Sequence, residues 1–286
     1  MAKISFDPIE IALREDIGQG DVTSDFFVPA RAQAAAKIIS RENAVVAGTK
    51  TATEVLHRVD PKLRTRIVRV DGSRVRSGET IIEIRGTARS ILKAERVTLN
   101  FLQRLCGVAT QTRKFVEGAG NRRVQILDTR KTTPGLRALE KAAVIAGGGK
   151  NHRFGLFDMA LVKDNHLLVC GGTHRISESV RRLRQAHPGI PIEIEAERLD
   201  QVRELLANPE VDVVLLDNMP CAEMRKAVAL KRQIRRKIKF EASGGITLKN
   251  IRQVAATGVD YISIGALTHS APAINLSLEI TDVGAA

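Results

Sequence analysis

Residues 190–217, IPIEIEAERLDQVRELLANPEVDVVLLD, decide the fold. Two β-branched runs, Ile190 to Ile194 and Val211 to Leu216, flank a stretch with helical spacing, and the runs end on acids, Glu195 and Asp217. That is the length and pattern of one βα unit followed by the next strand. The pattern continues on both sides of this stretch. Further runs lie at Val124 to Leu127, Met159 to Val162, Ile238 to Phe240 and Val259 to Ile264, and the last four of the six step by about 21 to 27 residues. Right-handed crossovers repeated in this way give a parallel open sheet or a (β/α) barrel.

The residues after each run carry chemistry: Asp128-Thr-Arg-Lys, Lys163-Asp-Asn-His, Glu195, Asp217-Asn, Glu241-Ala-Ser-Gly-Gly and Gly265-Ala-Leu-Thr-His. In barrels and open α/β sheets the carboxyl edge of the strands is where side chains and loop amides converge on a ligand. A site is therefore expected along this edge.

Upstream the texture changes. Lys37 to Ser40, Ala44 to Gly48 and Arg64 to Arg85 read as strands with turns at Asp71-Gly72 and Ser77-Gly78, in the manner of an α+β domain. The proline-free segment Ser90 to Gly118 reads as a linking helix, with Gly107 as the point where it could bend. The boundary is placed near residue 108, giving a first domain of 1–108 and a second of 109–270.

The chain has 286 residues and 43% hydrophobic content, enough for one large or two medium cores, and 45 Lys+Arg against 32 Asp+Glu leave a net charge of +13. Such a surplus calls for anionic partners. With 8 Phe, 1 Tyr and no Trp, the chain lacks the rings on which single-stranded bases stack, and it has no zinc-finger or RNP-like spacing, so nucleic acid is not the expected partner. Cys106, Cys170 and Cys221 form no framework spacing, which fits a reducing cytoplasm. Met1 to Gly20 has no signal-length apolar core and no run reaches 18 apolar residues, so no membrane association is expected.

Asp128 to Gly135 places Arg130, Lys131 and three hydroxyls between a strand and a helix expected to begin near Pro134. Arg can grip a carboxylate or phosphate with two parallel bonds, and Lys adds a point charge. Gly147-Gly148-Gly149 lets the backbone approach a ligand, with His152 and Arg153 as further donors. His152 and His166 lack the neighbours of a zinc site. Glu195 and Asp217 are the carboxylates expected to hold a divalent cation, or alternatively to pair with nearby cations; Glu193 is read as facing the other side of its strand. Ser243-Gly244-Gly245, ahead of a helix expected from Thr247, and Gly265 to His269 suit a terminal phosphate. If Arg130, Lys131, Arg153 and Lys163 face one cleft, each close pair costs about 4 kcal/mol at an effective dielectric near 20, so the cluster needs an anion.

Eight segments resemble one family, in order and nearly end to end: EDIGQGDVTS (15–24), ERVTLNFLQRLCGVAT (95–110), DTRKTTPGLRALEK (128–141), GGGKNHRFGL (147–156), KDNH (163–166), LLDNM (215–219), EASGGI (241–246) and GVDYISIGALTHSAP (258–272). The family is that of the carboxylating nicotinate-nucleotide pyrophosphorylases. The resemblance implies a reaction of quinolinate with phosphoribosyl pyrophosphate to give nicotinate mononucleotide, pyrophosphate and carbon dioxide, with Mg²⁺, in de novo NAD synthesis. It implies an N-terminal α/β sandwich joined by residues 271–286, an incomplete (β/α) barrel, and a homodimer with composite sites. It assigns Arg130, His152, Arg153 and Lys163 to the quinolinate carboxylates, with Arg96 from the partner subunit. Lys131, Glu195 and Asp217 fall at the pyrophosphate and Mg²⁺ end, and Ser243, Gly244, Gly265 and His269 at the ribose-phosphate end. Two alternatives stand beside it: a paralogous pyrophosphorylase associated with molybdenum transport, which departs at the His-Arg and Lys-Asp-Asn-His motifs that this chain keeps, and a basic binding protein without activity.

Overall fold

The structure, a computed structural model, describes residues 6–121, 123–234 and 237–284. The first five residues of the stretch read for a signal, and the last two of 271–286, lie outside the described residues.

Two helices open the chain, α1 (Pro8–Ile17) and α2 (Val22–Phe27), each started by an aspartate. Asp7 accepts from the amides of Ile9 and Glu10, and Asp21 from that of Ser24, which supplies partners for otherwise orphaned donors of the first turn. There follow β1 (Gln33–Ser40), β2 (Ala44–Val45), α3 (Thr49–Val59), β3 (Arg64–Ile67), β4 (Arg74–Val75) and β5 (Thr80–Thr87). The expected strand region 64–85 is thus three strands, parted at Asp71-Gly72 and Ser77-Gly78. The linking helix α4 runs over Ala88–Ala119 and is continuous through Gly107.

Beyond it come β6 (Gln125–Leu127), α5 (Arg137–Ala146), β7 (Ala160–Val162), α6 (Asp164–Cys170), α7 (Ser177–Ala186), β8 (Ile192–Ala196) and α8 (Leu199–Ala207). The rest are β9 (Val213–Asp217), α9 (Cys221–Arg232), β10 (Lys239–Ser243), α10 (Ile251–Ala255), β11 (Tyr261–Ser263), α11 (Ala266–His269) and β12 (Leu276–Gly284). All six β-branched runs are strands. Helix α5 starts at Arg137 and not near Pro134, because Gly135 turns the chain at φ 79° first; α10 likewise starts four residues after Thr247.

The chain forms two compact units, residues 1–113 with 132–148 and 266–286, and residues 114–131 with 149–265. The first holds an antiparallel sheet in the order β12-β1-β5-β3. Strand β12, from the end of the chain, pairs with β1 from Gln33↔Gly284 to Ser40↔Leu276. Ile38, Ile82, Ile84, Leu56, Ile91 and Leu102 lie in one core cluster of this unit. Residues 132–148 belong with this unit, while the chain-order division at 108 assigns them to the second. Leu136 and Leu139 pack against Ile9, Leu13, Val55, Val97 and Phe101. Buried Glu140 accepts from the guanidinium of Arg104 at 2.8 Å and from the Thr133 hydroxyl at 2.7 Å.

The second unit is built on six parallel strands in the order β6-β11-β10-β9-β8-β7, with β6 and β7 at its two ends, an incomplete barrel. Every residue of β8 is buried, as expected of a strand covered on both faces. Gln125, Leu127, Glu193, Val213, Glu241 and Tyr261 line one cavity of about 660 Å³. Glu193 therefore shares a face with Glu195, contrary to the sequence reading: side chains two apart on a strand point the same way.

Candidate active site

The carboxyl ends of the six strands carry most of the expected residues. Asp217 and Ser243 are the last residues of β9 and β10, and they are register partners. Glu195 sits one residue before the end of β8, Lys163 follows β7, Arg130 and Lys131 follow β6, and Gly265 follows β11. His269 lies on α11 and exposed Arg96 on α4, both in the first unit.

Asp128 organises the first cation loop. Fully buried, it takes the His152 amide on Oδ1 at 2.8 Å, while its own amide donates to the Lys150 carbonyl at 3.1 Å. The end of β6 and the strip bearing His152 and Arg153 are thereby stitched together. Arg153 donates from Nη1 to the Met159 carbonyl at 3.2 Å. Burial and the nearby charge of Arg130 both hold its guanidinium below the usual arginine range. Arg153 thus lies within reach of the Arg130 charge. The loop itself is closed by Asp158, which accepts from the amides of Phe154 at 2.6 Å and Gly155 at 2.9 Å.

One of the three glycines read as a ligand cradle, Gly147, also packs two helices together. A β-carbon on Gly147 would lie 2.5 Å from the Ala109 carbonyl oxygen, so this glycine lets α5 end close against α4. In Lys163-Asp-Asn-His, His166 is a structural cap: the Lys163 amide donates to its Nδ1 at 3.0 Å. The next amide, of Asp164, donates to Glu195 Oε2 at 3.0 Å, which joins the ends of β7 and β8.

Glu195 is 6% exposed. Burial raises its pKa, the Asp164 amide and Lys163 oppose the rise, and the charge of Asp217 adds to it. A buried carboxylate whose charge is disfavoured by burial and by a neighbouring carboxylate suits a divalent cation. Asn218 Nδ2 donates to Asp217 Oδ2 at 2.8 Å.

Sequence reasoning missed a cluster deeper in the barrel. His152 Nε2 lies 2.9 Å from Glu193 Oε2 and 3.4 Å from Glu241 Oε2, with side-chain exposures of 7%, 0% and 2%. The signal was present in strand parity: Glu193 is two residues from Glu195, and Glu241 two from Ser243. Burial disfavours a charged imidazole, but the bonds to Glu193 and Glu241 outweigh it and draw a proton toward the ring. Burial and then the charge of Glu241 raise the pKa of Glu193. The Arg153 amide donates to His152 Nδ1 at 2.8 Å, so Nδ1 keeps its lone pair and the ring hydrogen sits on Nε2, facing the two carboxylates.

No helix among the described residues is long and apolar enough to cross a membrane. Residues 21–106 match the profile described as quinolinate phosphoribosyl transferase, N-terminal domain, and residues 108–279 that of its C-terminal domain. The chain is 42% identical to the probable nicotinate-nucleotide pyrophosphorylase [carboxylating] of Bacillus subtilis, over 93% of this chain and 90% of that one. It is 41% identical to the nicotinate-nucleotide pyrophosphorylase [carboxylating] of Mycobacterium leprae, over 96% of each. The solved nicotinate-nucleotide pyrophosphorylase of Francisella tularensis superposes with a TM-score of 0.88 at 37% identity, covering 96% of this chain and 94% of that one. A parallel half-barrel with paired guanidiniums and paired carboxylates at its strand ends, matched along its length by these proteins, belongs to the quinolinate phosphoribosyltransferase family.

Proposed function

We propose that the chain transfers the phosphoribosyl group of phosphoribosyl pyrophosphate to quinolinate, with loss of carbon dioxide, to give nicotinate mononucleotide and pyrophosphate. The observation that carries this reading is the Arg130–Arg153 pair, two guanidiniums whose mutual repulsion an anionic ring substituent relieves. Quinolinate brings two carboxylates. Lys163 adds a third cation at the same edge.

Glu195 and Asp217 are the residues that would hold Mg²⁺, and their mutual repulsion fits that role. When bound, the ion would stabilise negative charge on the pyrophosphate. Lys131 supplies a point charge for the same leaving group. Ser243, Gly244 and Gly265, at the ends of β10 and β11, are proposed for the ribose-phosphate end, together with His269. As pyrophosphate departs, positive charge grows at the ribosyl carbon and the two acids favour it; no protein nucleophile is required. Once the ring nitrogen is bonded to that carbon it is positive and stabilises the carbanion left as the neighbouring carboxylate departs as carbon dioxide, and a proton from solvent then takes the place of that carboxylate on the ring carbon.

The homodimer is part of this proposal. Leu156, Phe157, Leu168 and Val169 are 72% to 89% exposed, apolar surface suited to a second copy. Arg96 is proposed to serve the site of the partner. The described cysteines are unpaired, which suits the cytoplasm.

The direct test is turnover of quinolinate with phosphoribosyl pyrophosphate and Mg²⁺, read as nicotinate mononucleotide and released carbon dioxide. Thermal shifts provide a second reading: quinolinate should stabilise the protein more than nicotinate at matched concentration. Equal stabilisation by both would rule out a site built for two carboxylates.

A further inference from the structure

The backbone amide and both ring nitrogens of His152 are used inside the protein. Its amide goes to Asp128, its Nε2–H to Glu193 and Glu241, and its Nδ1 receives the amide of Arg153. His152 thus joins four chain segments: through its backbone amide the end of β6, and through its ring the strip that carries Arg153 and strands β8 and β10. Asp128 leads directly into Arg130, two residues on. The two guanidiniums proposed for the pyridine carboxylates thus meet at one residue, His152, Arg130 by way of the backbone amide and Arg153 by way of the ring that the two carboxylates hold.

We infer that Glu193 and Glu241 are positioning residues for the carboxylate-binding end of the site: they anchor the His152 ring, and the ring in turn aims Arg153 relative to Arg130. This rests on the proposed function and adds to it two residues that act through the His152 ring. The pair suits the task. Both glutamates are essentially sealed from solvent, so their attraction for the Nε2–H is little screened, and Glu193 also acts electrostatically on Arg153. Glu193 and Glu241 come from strands separated by β9, so they hold the ring from two sides and limit its rotation.

The same three side chains bring their ligand atoms within 4.8 Å of one another, a spacing that could suit a metal ion. The Arg153 amide argues against that use. While Nδ1 accepts this amide, the hydrogen sits on Nε2, and the nitrogen facing the carboxylates has no lone pair to offer.

The test compares Glu193→Leu with Glu193→Gln, the second keeping a carbonyl that can accept from Nε2. In Glu193→Leu the KM for quinolinate should rise about tenfold or more, the effect of losing one hydrogen bond to a charged group. The KM for phosphoribosyl pyrophosphate should stay within about twofold and kcat within about threefold, and Glu193→Gln should recover the KM for quinolinate to within about threefold of wild type. Glu241→Leu provides the same comparison if Glu193→Leu does not fold. A folded leucine variant with an unchanged KM for quinolinate, or with both KM values raised together, overturns the inference. So does stoichiometric uptake of Zn²⁺ or Mn²⁺ by the wild type that Glu193→Leu abolishes. Should neither leucine variant fold, the ring nitrogen resonances of ¹⁵N-histidine-labelled wild type decide: hydrogen on Nε2 alone supports it, and hydrogen on Nδ1 alone overturns it. A wild type that never turns over quinolinate refutes the function instead, whereas these outcomes in an active enzyme bear on the positioning role alone.

Discussion

The side-chain amide of Asn218 fills the space that a β-carbon on Gly244 would need, and the same amide holds Asp217 through Nδ2 at 2.8 Å. Asn218 has φ 49°, a left-handed conformation shared by no other non-glycine among the described residues. The backbone N–H of Asn218 donates to the Ser243 carbonyl at 3.0 Å. The carboxylate proposed for the cation and the glycine proposed for the phosphate are thus parts of one interlocked pair of strand ends.

Gly244→Ala should disturb both at once. Gly244 has φ 89°, and an added methyl would strike Asn218, so a cost of about 1–3 kcal/mol in stability is expected. The KM for phosphoribosyl pyrophosphate should rise in the folded fraction. Thermal melting together with kinetics at saturating quinolinate measures the two effects separately.

Lys131→Ala should lower kcat by about 10²- to 10³-fold, since the charge it meets grows only as the pyrophosphate bond breaks. The KM for quinolinate should hold within about twofold. Steady-state kinetics with each substrate varied in turn reads this out; a change confined to the quinolinate KM would assign Lys131 to the other end of the site.

Asp260 offers a pH-dependent stability term at the opposite ends of the strands. Burial alone would raise its pKa, but Lys231, the Phe240 amide at 2.8 Å and Lys239 at 3.0 Å outweigh burial and lower it. A carboxylate with a depressed folded pKa contributes stability above its unfolded value, about 3.9, and loses it as the pH falls through the folded value. Asp260→Asn should therefore cost about 1–3 kcal/mol at pH 7 and progressively less below about pH 4. Urea unfolding of both proteins at pH 7 and pH 3 compares them, and an equal gap at the two values would remove the carboxylate charge from the account.

Mixed dimers test the composite site. Arg96→Ala and Lys131→Ala should each be nearly inactive, while co-refolded equal mixtures should regain about a quarter of wild-type activity: half the dimers are mixed, and one site in each is whole. No recovery in mixtures shown by tagged pull-down to contain mixed dimers would make Arg96 serve its own chain or none.

Much of this architecture is legible residue by residue. Strands buried on both faces need continuous β-branched runs, so Ile190 to Ile194 and Val211 to Leu216 announce themselves, and the charged residue that ends each run marks the carboxyl edge. Arg130 and Arg153 could be grouped in advance because both stand in cation-bearing loops, and like charges brought into one cleft need an anion. Helix α5 could be seen as a helix, but its place in the first unit could not, because Leu136 and Leu139 find their apolar partners on α1, α3 and α4.

By itself the sequence determined the six-strand repeat, the long α4 and the cations and acids at the strand ends, since periodicity and local chemistry are written in consecutive residues. Tertiary structure alone decided that β12 closes the sheet against β1, and that His152, Glu193 and Glu241 share one buried cluster. Those partnerships join residues 41 or more positions apart, through strand register and the inward face of the barrel. Register is a property of the assembled sheet, and no local pattern in the chain encodes which neighbour a strand will take.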